Sequence, residues 1–163
     1  MSDVGQLGLV RTVGFSSWLI RLVTKSHYNH VILRFNSKYV VSAETSGVAI
    51  LPTTHFPNAV WSQFPLDALE RRQIVAFALN QVHKPYGRLT FVWIGISRIT
   101  RWATPRWLEK RINNEKTWVC SALADSAYTH AGIHLFRDRR PPGAVTPGDL
   151  AQIFYDFHWV DRA

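Results

Sequence analysis

The sequence predicts an α+β fold built on an antiparallel sheet. Runs rich in β-branched and aromatic residues follow one another between Asn29 and Phe64. Segments with helical apolar spacing dominate after Asp67. The two kinds of element come in blocks rather than in alternation, which favours antiparallel pairing over a parallel βαβ arrangement. A chain of 163 residues suits a single domain, 1–163, and neither an internal repeat nor a Gly-, Ser- or Pro-rich linker divides it.

The elements follow in order. Phe15 to Lys25 reads as a short helix, with Phe15, Leu19, Leu22 and Val23 at helical spacing and Ser16 or Ser17 near its start. Asn29 to Phe35 and Tyr39 to Glu44 read as a hairpin turning at Asn36-Ser37-Lys38. Gly47 to Leu51 is the third strand expected and Ala59 to Phe64 the fourth. Asp67 to Val82 is the clearest helix: Leu69, Ile74, Phe77, Ala78 and Val82 form an apolar stripe, and Pro85 follows as a stop. Thr90 to Trp102 and Pro105 to Arg111 also read as helical. Val119 to Ala131 is a helix ended by Gly132 in the C′ position. Arg137 to Gly148 reads as a polar loop, and Phe154 to Val160 as a closing strand.

Composition excludes several classes. Hydrophobic residues make up 47% and charged residues 18%, an ordinary globular balance. A chain of this length buries roughly 70% of its unfolded surface, enough for a core without covalent staples. The single cysteine, Cys120, excludes an internal disulfide and a Cys-rich zinc module. No cofactor is expected; His130 and His134 are separated by Gly132 and do not suggest a zinc pair. The net charge of +8 arises from scattered basic residues, so weak attraction to a polyanion is expected but no specific nucleic-acid binding. The apolar segment Leu89 to Ile99 is too short to span a membrane, and the N-terminus lacks the pattern of a secretory signal, so synthesis in the cytoplasm is expected.

Three residues stand out chemically. Cys120 falls in the first turn of the helix expected from Val119, where free amides and the helix dipole favour a thiolate. A lone cysteine is more commonly a small apolar filler. His30 opens a strand, and a cysteine nucleophile needs an imidazole within hydrogen-bond reach. His27 competes with it but precedes the strand. Glu44 ends the next strand, and counting outward from the turn brings it opposite or diagonal to His30, where a carboxylate can hold the imidazole's tautomer.

These residues lie within an ordered set: Ser26, Asn29-His30-Val31, Ala43-Glu44, Gly47-Val48, Lys84-Pro85-Tyr86-Gly87, Trp118-Val119-Cys120-Ser121-Ala122-Leu123, Ala131-Gly132-Ile133 and Thr146-Pro147-Gly148-Asp149-Leu150. The set resembles the circularly permuted papain-like cysteine peptidases related to the NlpC group, of the YiiX/YaeF kind, in which the histidine precedes the cysteine. It spans about residues 26 to 150. The resemblance implies a permuted papain-like fold with the nucleophile at a helix N-terminus packed on an antiparallel sheet. It implies Cys120 as nucleophile, His30 as base, Glu44 as the orienting residue and Tyr86 beside the nucleophile at the oxyanion site. It implies a thiol-dependent hydrolase acting on a peptide of the cell wall (peptidoglycan). Relatives acting on lipids keep an acyl substrate, and so thioesterase or acyltransferase activity, open. The chain departs from the family's usual Tyr-Cys-Ser-Glu-Leu in having Val119-Cys120-Ser121-Ala122-Leu123, and Gly87 stands where an aspartate is usual.

Two readings from other classes compete. His27-Tyr28-Asn29-His30 superficially resembles a His-rich nuclease motif, but no ligand pattern on a ββα unit follows it. A catalytically silent binding or structural module of a phage or secretion particle would keep Cys120 as an ordinary thiol.

Overall fold

Five strands pair side by side in the order β4-β3-β2-β1-β5. They are β1 (Leu7–Val10), β2 (His30–Arg34), β3 (Tyr39–Glu44), β4 (Gly47–Pro52) and β5 (Val60–Trp61). Every pairing is antiparallel. Among the described residues three α-helices accompany the sheet: α1 (Ala68–Leu79), α2 (Cys120–His130) and α3 (Pro147–Asp156). The structure is a computed structural model and describes residues 3–12, 26–44, 46–85, 119–138 and 140–161. The helices expected at Phe15 to Lys25, Thr90 to Trp102 and Pro105 to Arg111 lie outside the described residues, as do Tyr86 and the apolar segment Leu89 to Ile99.

The β2–β3 hairpin forms where the sequence places it. Asn36 closes the turn, its Oδ1 accepting from the amides of Lys38 and Tyr39, each at 2.8 Å. Alternation then sorts the side chains. Val31, Leu33, Val41 and Ala43 join the main core with Leu123, Ala127, Leu150 and Phe154 of the helices. Ile32 and Val40 belong to a smaller cluster with Val10 and Phe56. Burying one Val or Leu side chain contributes about 1.5–3 kcal/mol, so the larger cluster carries most of the driving force for docking the helices.

Several boundaries differ from expectation, each for a local reason. Strand β1 was not anticipated. Its Leu7-Gly8-Leu9-Val10 is apolar throughout, because a central strand is covered on both sides and shows no alternation. The strand expected over Ala59 to Phe64 is regular only at Val60–Trp61. One more backbone bond follows, from the Ser62 amide to Leu7 O at 2.8 Å, and side chains add to it. The Ser62 hydroxyl accepts from the Leu7 amide at 2.9 Å, and the Gln6 amide group donates to the Phe64 carbonyl at 2.8 Å. Helix α1 begins one residue after Asp67, which caps it, and Leu69 of the expected stripe is exposed; Ile74 and Ala78 are the buried positions.

The expected closing strand over Phe154 to Val160 is instead the end of α3 and the turn after it. Thr146 and Asp149 form a reciprocal capping box, and Pro147 occupies the first turn. The helix therefore starts inside the stretch read as a loop. Arg140, from that same stretch, is tied down as well, pairing with Asp138 at 2.6 Å and with Asp149 at 3.1 Å.

Two glycines allow close approaches. Gly47 has φ +127°, and a side chain there would meet the Lys84 carbonyl at 2.9 Å. Without one, residues 83 and 84 lie along the outer edge of β4: the Val48 amide donates to Lys84 O at 2.9 Å, and the His83 amide to Val48 O at 2.8 Å. Gly8 lies under two side chains, where an added Cβ would fall 2.7 Å from Ile32 Cγ1 and 2.8 Å from the Trp61 ring. Gly8→Ala is expected to overpack this site and destabilise the fold by about 1–3 kcal/mol. A lowered urea midpoint with an unchanged m-value is the measurement; an unchanged midpoint would refute the packing argument.

Candidate functional site

The site begins with the end of β2. Asn29, just before the strand, is clamped to the end of β1. Its Nδ2 donates to Thr12 Oγ1 at 2.6 Å, its Oδ1 accepts from the Thr12 amide at 2.9 Å, and its own amide donates to Val10 O at 3.2 Å. The next residue, His30, is thereby held in a fixed position. The β2–β3 register pairs Ile32 with Ser42, and two residues further on the same register sets His30 opposite Glu44. The side chains follow the backbone: His30 Nε2 lies 3.3 Å from Glu44 Oε1.

Ser42 completes the link, and sequence reasoning missed it. Its Oγ lies 2.8 Å from His30 Nε2, and its hydroxyl donates to Glu44 Oε1 at 2.6 Å. A hydroxyl has one proton, and here the carboxylate takes it. Ser42 must then accept from the ring, which assigns the proton to His30 Nε2. The neutral imidazole accordingly presents a bare Nδ1. The signal was present in the sequence: Ser42 and Glu44 are two apart on one strand and so share a face. A buried serine in a strand is common, however, and only the register shows it beneath a histidine.

Cys120 interacts with the ring as well, and its hydrogen-bonding and charge push the imidazole up. Cys120 is only 2% exposed and is the first residue of α2. The preceding Val119 supplies no capping side chain. The first-turn amides therefore have no side-chain cap, and they lie at the end of the helix where its dipole favours negative charge. The helix start is anchored by Ser121, whose hydroxyl donates to the Val145 carbonyl at 2.6 Å. Deeper in the helix, the Tyr128 hydroxyl donates to Gly5 O at 2.8 Å. Phe56, also not anticipated, packs against His30 with ring centroids 5.9 Å apart.

Charge follows from these contacts. Burial alone would lower the His30 imidazole, but hydrogen bonds and charge from Cys120 and Glu44 outweigh it and raise the group to about 10. The hydrogen bond from His30 holds Glu44 below the ordinary carboxylate range, against partial burial and with help from Ser42. These contacts favour the protonated form of the ring.

Of the sequence-predicted residues, His30, Glu44 and Cys120 come together, and Tyr86 lies outside the described residues. His27 is exposed. Asp67 is committed to capping α1. Asp125 is buried further along α2, where burial pushes its carboxyl up to about 6 against the opposing charges of His134 and Arg140. Among the described residues, no group of three or more His, Cys, Asp or Glu side chains is arranged to hold a metal ion. None of their helices is long and apolar enough to cross a membrane.

A pH dependence of stability follows. His30 is raised on folding, so its contribution is complete below its unfolded value of about 6.5 and is lost as pH rises through about 10. Glu44 is lowered, so its contribution is present above the ordinary 4.5 and is lost as pH falls. Glu44→Gln is therefore expected to lower Tm most between these limits, by about 3 °C for each kcal/mol lost in a domain of this size. The gap between variant and wild type should close as pH approaches 10. A gap that stays constant with pH would show that the two groups are not coupled.

Comparison with protein-family models and with curated proteins gives no match. Among solved structures the chain is similar to the crystal structure titled metalloprotein yiiX from Escherichia coli O157:H7, DUF1105. The TM-score is 0.56 at 18% sequence identity, over 93% of this chain and 79% of that one. The metal in that title is said of that protein. What the two share is the architecture: this chain has a YiiX-like α+β fold.

Proposed function

We propose that this protein is a thiol-dependent hydrolase of the permuted papain-like kind, with Cys120 as nucleophile, His30 as base and acid, and Ser42 and Glu44 as positioning residues. The observation that carries the reading is the double engagement of His30. The ring engages the Cys120 thiol and, through Nε2, the Ser42–Glu44 pair that orients it. A structural cysteine needs no such arrangement, whereas a nucleophile needs a base and the base needs an orienting group. The chain order, histidine strand before cysteine helix, also fits the permuted arrangement.

The chemistry is as follows. His30 Nδ1 holds the proton of Cys120, leaving an imidazolium and a thiolate. The thiolate adds to an amide carbonyl, and the oxyanion takes hydrogen bonds from first-turn amides of α2. His30 returns a proton to the leaving amine as the C–N bond breaks, giving a thioacyl enzyme. Water then attacks, His30 receives its proton, and the C–S bond breaks to release the acid and regenerate the thiol. A peptide of the cell wall is the substrate class we favour. An ester or thioester would pass through the same intermediate.

Iodoacetamide alkylation of Cys120 at neutral pH tests this reading. His30→Ala is expected to slow alkylation by about tenfold or more, because the thiolate loses its counter-ion. Ser42→Ala and Glu44→Gln should give smaller losses. A rate indifferent to His30 would leave Cys120 an ordinary buried thiol and remove the enzymatic reading.

A further inference from the structure

A cavity of about 560 Å³ opens against the outer side of Glu44. That volume lies in the range of sites that hold small molecules or substrate side groups. Val10, Leu51 and Phe56 form an apolar part of its wall. Phe56 also packs on the His30 ring, so the cavity and the reactive pair share a wall. The charged side chains on the wall are Arg11 and Glu44, with His55 beside them.

These charges are not equivalent. Glu44 is already committed, accepting from Ser42 and lying against the His30 imidazolium. Arg11 has neither an ion pair nor a hydrogen bond among the described residues, and it is exposed. Two other arginines are spent on carboxylates: Arg34 on Asp3, and Arg140 on Asp138 and Asp149. A guanidinium with no partner among the described residues, set beside an apolar wall, is suited to a ligand with a carboxylate at one end and an apolar body at the other. The overall charge of +8 adds to the attraction for such an anion.

We infer that this cavity is the substrate's recognition subsite, taking a carboxylate-bearing group whose acid pairs with Arg11 and whose apolar part rests on Val10, Leu51 and Phe56. The inference rests on the thiol-hydrolase reading and adds a substrate class to it: acyl compounds or peptides with a free carboxylate near the scissile bond. Arg11 determines specificity and takes no part in bond making.

The test uses the full chain with N-acetyl-leucine and its uncharged counterpart N-acetyl-leucinamide, and titration calorimetry as the readout. The acid is expected to bind at least about tenfold more tightly than the amide, the usual worth of a charge-assisted pair. Arg11→Gln should abolish that preference. Because Arg11 is exposed, the variant should melt as wild type does. Saturating N-acetyl-leucine should also slow iodoacetamide alkylation of Cys120 in wild type. Equal binding of acid and amide, a preference that survives Arg11→Gln, or no binding at millimolar concentration would overturn the subsite. So would Arg11-dependent binding that leaves alkylation unchanged, since the cavity would then be separate from the reacting thiol. The two readings fail separately: alkylation that ignores His30→Ala removes the hydrolase, and calorimetry that ignores Arg11→Gln removes the subsite.

Discussion

The antiparallel register of β2 on β3 is the constraint on which the rest of the site depends. With Ile32 opposite Ser42, His30 falls opposite Glu44, and Ser42 lies between the ring and the carboxylate. A slip of one residue would turn Ser42 and Glu44 to the other side of the sheet and expose Val41 and Ala43. The core therefore enforces the geometry of the site. Leu123, Ala127 and Phe154 hold Val31, Leu33, Val41 and Ala43 under the helices, so the polar row has one place to go.

Burying a row of polar groups at a strand end is unfavourable unless each finds a partner. Here each does. Ser42 gives its proton to Glu44 and accepts from His30, while His30 also engages Cys120. Removing one member leaves the others unsatisfied, which is why such a row acts as a unit. Asn29 extends the same logic by pinning the chain immediately before His30 to Thr12 and Val10. The helix start contributes from the opposite direction. Val119 cannot cap α2, so its first-turn amides keep no side-chain partner, and Ser121 fixes the helix start to Val145.

Much of this was legible in the sequence. The Asn36 turn and the β-branched runs beside it specify the hairpin, and outward counting from the turn already brings His30 near Glu44. The α2 helix, with Cys120 at its start and Gly132 just past its end, follows from apolar spacing and a stop signal. Other parts were hidden for physical reasons. Strand β1 has no alternation because it is covered on both faces. The start of α3 is signalled only by Thr146, Pro147 and Asp149, a capping pattern inside a stretch rich in proline and arginine that otherwise reads as loop. Phe154 to Val160 has strand-like composition, but its aromatic residues serve helix and turn packing: Trp159 meets Phe64 at 4.8 Å and Phe154 at 5.1 Å.

By itself the sequence determined the elements whose signals are local: the turn, the caps, the helical stripes, and the placement of one cysteine at one helix start. It also determined the fold class, because strands and helices come in blocks. Only the tertiary structure decided that Ser42 joins His30 to Glu44, that Phe56 backs the ring, and that Arg11 opens on a cavity beside them. Those relations connect residues far apart in the chain. They depend on strand register and on which side chains the core leaves uncovered, and neither quantity is carried by any short stretch of sequence.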